Sequence, residues 1–125
     1  MSIKRAKSNK TANIALMCKS HNYTKDKTNE NIFTSPSWAL SETTANNLIG
    51  KNVILTNSSQ TPAYMGGKIV DVVLNIKSTK EHARNTYSHC ANRYDIVFEY
   101  DPSLVGNKSS VGHSGWGSGR SVCYI

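Results

Sequence analysis

The sequence predicts an α+β domain: a small, mainly antiparallel twisted β-barrel with one short helix and a basic N-terminal arm. Three observations support this. Only one segment carries both a start and a stop signal for a helix. The apolar runs that follow it alternate or are rich in β-branched residues, and no helical stretch lies between them to serve as a parallel crossover.

In chain order, Ile14, Leu16 and Cys18 alternate with Ala15, Met17 and Lys19, a period of two that lays a strand on a sheet edge, although a short helix fits the same residues. Residues 20–34, dominated by Asn, Thr, Lys and Ser, read as a linker, and Ser35-Pro36-Ser37 as a turn or extended entry to the body. Ser41 is placed to cap a helix, with Glu42 in its first turn, Ala45, Leu48 and Ile49 on one face and Gly50 just past its end. Residues 51–57 form a strand and 58–62 a loop, after which Gly66-Gly67 opens a second strand through Ile76, long enough to bend or carry a bulge. Residues 77–92 lack periodicity and read as a loop. The run 93–100 is a third strand with Tyr94, Ile96, Phe98 and Tyr100 on one face, stopped by Asp101-Pro102. Residues 120–125 form a last short strand. The chain therefore divides into an arm and linker over 1–31 and a single compact domain over 32–125.

The 125 residues are 38% hydrophobic and 18% charged, and Ser and Asn fill 29 positions, a polar globular composition that excludes collagen, coiled coil and membrane-spanning classes. The basic start is followed by too short an apolar run for a secretory signal, so a cytoplasmic location is expected, with Cys18, Cys90 and Cys123 as reduced thiols. The net charge of +7 is uneven: residues 1–27 carry +6 and residues 28–125 only +1. Lys4, Arg5, Lys7 and Lys10 are expected to form a phosphate-contacting arm, and if all six net charges of residues 1–27 reached phosphates the salt slope would be about −5, an upper bound. The plainer alternative is a solubilising terminus.

The segment 112–120 holds four glycines around Trp116 and ends in Arg120. Its spacing matches neither a phosphate loop, a dinucleotide fingerprint nor a hydrolase elbow. Trp38, Tyr64 and Trp116 each lie beside turn-forming residues, where they could line a barrel mouth and stack on a flat ligand. Arg93, His113 and Arg120 could add hydrogen bonds to a phosphate or base edge. Against this stands the ordinary use of such aromatics to close the ends of a small core. Cys18-x-x-His21 and the adjacent His89-Cys90 have a zinc-like composition, but the spacing is poor, and no metal or cofactor is expected. His113-Ser114 lacks a carboxylate at any motif spacing, and Glu99 and Asp101 read as solvated surface, so no catalytic residue is assigned.

The strings Ser35-Pro36-Ser37-Trp38-Ala39-Leu40, Pro62-Ala63-Tyr64-Met65-Gly66-Gly67-Lys68-Ile69-Val70 and Arg93-Tyr94-Asp95-Ile96-Val97-Phe98 flank a capped helix and a strand. This order of elements, over about residues 32–125, resembles PUA-like barrels of the ASCH and EVE kind, and also small proteins of bacteriophages and mobile elements. The resemblance implies a pseudo-barrel with one pocket for a nucleotide or modified base. The near-neutral body departs from a strongly basic RNA-binding PUA domain. The leading expectation is a non-enzymatic nucleic-acid or nucleotide-binding module in a bacterial host cytoplasm. The alternatives are a phage-borne inhibitor of a host protein or defence complex with an acidic surface, and a small nucleotide-acting enzyme.

Overall fold

The computed structural model describes residues 12–18, 21–58, 61–81, 92–106 and 120–122, with backbone alone for Glu81 and 120–122. Seven strands, β1 (Ile14–Met17), β2 (Thr24–Lys25), β3 (Ile32–Ala39), β4 (Asn52–Thr56), β5 (Met65–Leu74), β6 (Arg93–Tyr100) and β7 (Arg120–Val122), form one sheet in the order β2-β3-β6-β5-β4-β1-β7. The fold is mixed α+β, its sheet curled into a half-barrel. No described residues pair β2 with β7.

Helix α1 (Glu42–Leu48) forms where its signals stand: the Ser41 hydroxyl accepts from the Thr44 N–H, and Gly50 follows the last turn at φ 90°. Its Ala45 and Leu48 pack into the main core with Ile14, Leu16, Val53, Leu55, Ile69, Ile96 and Phe98. Burial at such a site stabilises by ~1.5–3 kcal/mol per large side chain. Strand register builds the sheet face toward this core from cross-strand rows, Phe33-Phe98-Ile69, then Ser35-Ile96-Val72, then Trp38-Tyr94, where the row ends at the exposed Leu74. The opposite face carries a smaller cluster of Ala12, Ala15, Ile54, Ala63 and Leu104. Leu104 belongs to a 3-10 turn, Pro102–Leu104, capped by the Asp101 carboxylate.

Several expectations are corrected. The segment read as a linker contains β2 and the start of β3, and Ser35-Pro36-Ser37 lies inside β3. There the register shifts by one residue, and Ser37 takes φ 70°. A bulge suits Pro36, which has no N–H for the ladder, and the Asp95 carboxylate accepts the Ser37 N–H at 2.9 Å. A second short helix, α2 (Ile76–Glu81), occupies the start of the expected loop 77–92. Asn75 caps it by accepting from the Ser78 N–H at 2.9 Å. Strand β1 is not at an edge: it pairs with β4 and β7, and its pairing with β4 is parallel. Residues 1–31 therefore contribute two strands to the sheet. The other five pairings are antiparallel. Strand β5 shifts register at Val70, the bulge its length allows. No helix among the described residues is long and apolar enough to cross a membrane.

Candidate functional site

Because β1 and β4 run parallel, they finish side by side, and the Cys18 N–H continues their ladder to the Thr56 carbonyl at 2.8 Å. The loops that follow, around His21 and Asn57, are thereby held together at one end of the sheet. Tyr64, whose N–H bonds the Leu55 carbonyl at 3.0 Å, reaches across the gap. Its hydroxyl donates to the Cys18 carbonyl at 2.7 Å, and the His21 N–H donates to the same oxygen at 3.3 Å. Burial, then this hydrogen bond, pushes the Tyr64 phenol well above the ordinary tyrosine range.

His21 occupies the left-handed region at φ 52°, and its ring lies on that of Tyr64, with centroids 3.9 Å apart and planes 13° from parallel. Its Nε2 meets Asn57 Oδ1 at 2.9 Å. An amide oxygen only accepts, so Nε2 carries the hydrogen. Tyr23 stands 6.3 Å from His21 and 6.2 Å from Tyr64, and meets Phe33 edge-on at 5.7 Å. Phe33 in turn lies 6.0 Å from Phe98 and 6.2 Å from Tyr100. A continuous aromatic array thus runs from a fully buried ring, Phe98, to an exposed one, His21. Beside it Lys25 and Lys27 are exposed. The intervening Asp26 carboxylate accepts from the Thr28 hydroxyl at 2.8 Å and from the Thr28 and Asn29 N–H groups at 3.0 Å, which holds its acidity below the usual carboxylate range.

This arrangement offers flat apolar faces and hydrogen-bonding edges, the equipment of a binding surface. The thiol of Cys18, buried at 4% exposure, turns to Asn22 Oδ1 at 3.2 Å, and His21 turns to Asn57, so the two do not converge on a common point. No group of three or more metal-ligating side chains occurs among the described residues.

The residues singled out in the sequence are dispersed. Tyr64 precedes β5 at the aromatic end, whereas Trp38 and Arg93 lie at the end where β3 finishes and β6 begins. Trp38 packs against the main core and donates its Nε1–H to the Ser35 hydroxyl at 2.8 Å. The Arg93 N–H bonds Thr79 Oγ1 at 2.9 Å, and its Nε is buried without a partner among the described residues. Near these two, the Ser37 and Ser78 hydroxyls hydrogen-bond each other, and Asn75 Nδ2 donates to Asp95 at 3.0 Å, a polar clip joining the β3 bulge to α2 across β6. Arg120 begins β7, its backbone opposite Leu16. His113 and Trp116, like Lys4, Arg5, Lys7 and Lys10, lie outside the described residues. His21, Tyr23, Phe33 and Asn57 were absent from the expected pocket. Their one sequence signal is the pair His21 and Tyr23 at alternate positions just after β1. Comparison with protein-family models, with curated proteins and with solved structures finds no match.

Proposed function

We propose that the protein is a non-enzymatic module that binds nucleic acid, a nucleotide or a modified base. The observation that supports this reading is the aromatic array ending in the exposed His21 ring over Tyr64, a surface suited to stacking on a planar ligand. The half-barrel is compatible with the PUA-like barrel that the sequence resembles, and the arm adds sequence-independent phosphate contacts through Lys4, Arg5, Lys7 and Lys10. The test is fluorescence-anisotropy titration of labelled single-stranded and duplex oligonucleotides across several salt concentrations. It compares the full chain with a variant in which those four arm residues are Ala. Binding that persists in the variant supports a site on the sheet. Binding lost with the arm charges reduces the activity to a charged tail, and no binding by either protein rejects the proposal.

A second reading, a phage or mobile-element protein that inhibits a host protein, draws on a different feature. Val70, Val73, Leu74 and Ile76 are exposed along the second half of β5 and into α2, with Ile76 at 62%. Exposed apolar side chains suit a protein partner. Recovery of one defined protein from nuclease-treated host lysate, lost on Leu74→Ser with Ile76→Ser, favours this reading. Retention of the same protein by that double variant excludes the patch.

A further inference from the structure

We infer that the outward face of the His21 ring is a stacking subsite for an unpaired base, so that this protein selects single strands over duplex. The inference rests on the nucleic-acid reading above and assigns that reading a site and a ligand class.

Four features support it. The inner face of the imidazole is covered by Tyr64 at 3.9 Å, while the residue as a whole remains exposed. The ring is held by this stacking and by Nε2, bonded to Asn57 Oδ1 on the neighbouring loop, while the backbone N–H of His21 is bonded to the Cys18 carbonyl of its own loop. Tyr64 beneath it is anchored by its hydroxyl on that same carbonyl and by packing against the main core. A ligand base therefore meets a platform already ordered, and binding need not immobilise a free side chain. Asn57 engages Nε2, and in the tautomer with its hydrogen on Nε2 the ring has Nδ1 as its acceptor edge. An exocyclic amino group or a ribose hydroxyl at the ring edge supplies the matching donor.

The surroundings fit a strand with a charged backbone. Lys25 and Lys27 project from the adjacent β2 and its turn, and the carboxylate between them is occupied by three donors of the same turn. Duplex bases are stacked on both faces and cannot lie flat on a ring, whereas an unpaired base can. Selectivity for strandedness follows, with little preference among bases, because every base has a π-face.

The test uses the full chain and a fluorescein-labelled oligothymidylate, its duplex with oligoadenylate, and an oligothymidylate carrying one 2-aminopurine. Titrations are run at a salt concentration that suppresses the counterion-driven share of binding. The single strand is expected to bind more tightly than the duplex, and 2-aminopurine fluorescence to be quenched on binding. His21→Ala should weaken single-strand binding by about tenfold and abolish the quenching, in line with loss of one stacked base. His21→Phe, which keeps a flat ring, should retain most of both. Thermal unfolding of each variant checks that the fold is intact. Single-strand binding unaltered by His21→Ala overturns the subsite and leaves the nucleic-acid reading standing. Equal or tighter duplex binding overturns the selectivity. Absence of any oligonucleotide binding by the parent protein overturns the reading and the subsite together.

Discussion

Gly67 is the position at which one added methyl group should cost the fold most. A Cβ built there falls on the Glu99 carbonyl oxygen and meets Phe98 Cδ2 at 2.7 Å and the Glu99 carbonyl carbon at 2.8 Å. Gly67 lies in β5 opposite Tyr100 of β6, so two of the three obstacles are backbone atoms of the neighbouring strand. They cannot turn aside as the end of a flexible side chain would. Gly67→Ala must therefore push β5 and β6 apart beside the buried Phe98. Overpacking of this kind costs ~1–3 kcal/mol, and a backbone obstacle puts it at the upper end. The smaller entropy of the unfolded Ala chain returns ~0.4–1 kcal/mol, leaving a net loss of about 2 kcal/mol. For a domain of this size that corresponds to a fall in Tm of roughly 6–10 °C. Gly50 is the control: its Cβ would meet nothing within 4 Å, and its only difficulty is φ 90°. Gly50→Ala should thus cost about 1 kcal/mol through backbone strain alone. Urea and thermal unfolding followed by circular dichroism measure both. A Gly67→Ala protein as stable as the parent, or more stable than Gly50→Ala, would refute the close strand approach.

Three further outcomes are expected. Tyr64→Phe keeps the ring beneath His21 but removes the donor to the Cys18 carbonyl. It should lower stability by about 1 kcal/mol in urea unfolding while leaving any stacking-dependent oligonucleotide binding in place. Ser41→Ala removes the acceptor for the Thr44 N–H and should cost ~1 kcal/mol in the same assay. The Asp26 carboxyl is more acidic folded than unfolded, so the contribution of its turn is present above the ordinary Asp range and is lost as pH falls through the lowered folded value. In an NMR titration the Thr28 and Asn29 amide signals should hold their positions down through the ordinary range and shift only below it. A midpoint at or above the ordinary value contradicts the carboxylate-centred turn.

The elements that were legible in the sequence are those whose signals are local. Ser41 and Gly50 bracket α1 within ten residues, and β6 alternates so regularly that both its bounds and its buried face follow from the pattern. Strand β2, strand β3 and helix α2 escaped, the last two because their determinants are tertiary. Helix α2 is a single polar stretch held by the Asn75 cap and by Thr79 receiving the Arg93 N–H, partners that no periodicity announces. Strand β3 runs through Pro36 because Asp95, on another strand, receives the Ser37 N–H at the bulge. The candidate site escaped for the same reason. Asn57 and Tyr64 stand at the two ends of the β4–β5 connection and His21 in the one after β1, and the parallel register of β1 with β4 joins them. In the sequence, His21 stood out chiefly as a neighbour of Cys18.

The place of β1, one strand in from the sheet margin, also sets an order of assembly. Its two partners lie far along the chain: Ile14 pairs with Val53 on one side and with Val122 on the other. The β3-β6-β5-β4 sheet can form by antiparallel pairing without β1. Seating β1 on β4 closes a loop no longer than the one between β3 and β6, whereas adding β7 closes one that spans most of the chain. Loop closure of that span must be met before the contacts compensate it, which slows folding and leaves this pairing to the end. The β7 margin is then the first to separate in the native protein, so amide protons bonded between β1 and β7 should exchange ahead of those in β5 and β6. Since β1 leads directly into the Cys18 and His21 loop, loss of β7 would turn the strand that carries the aromatic platform into a bare sheet edge.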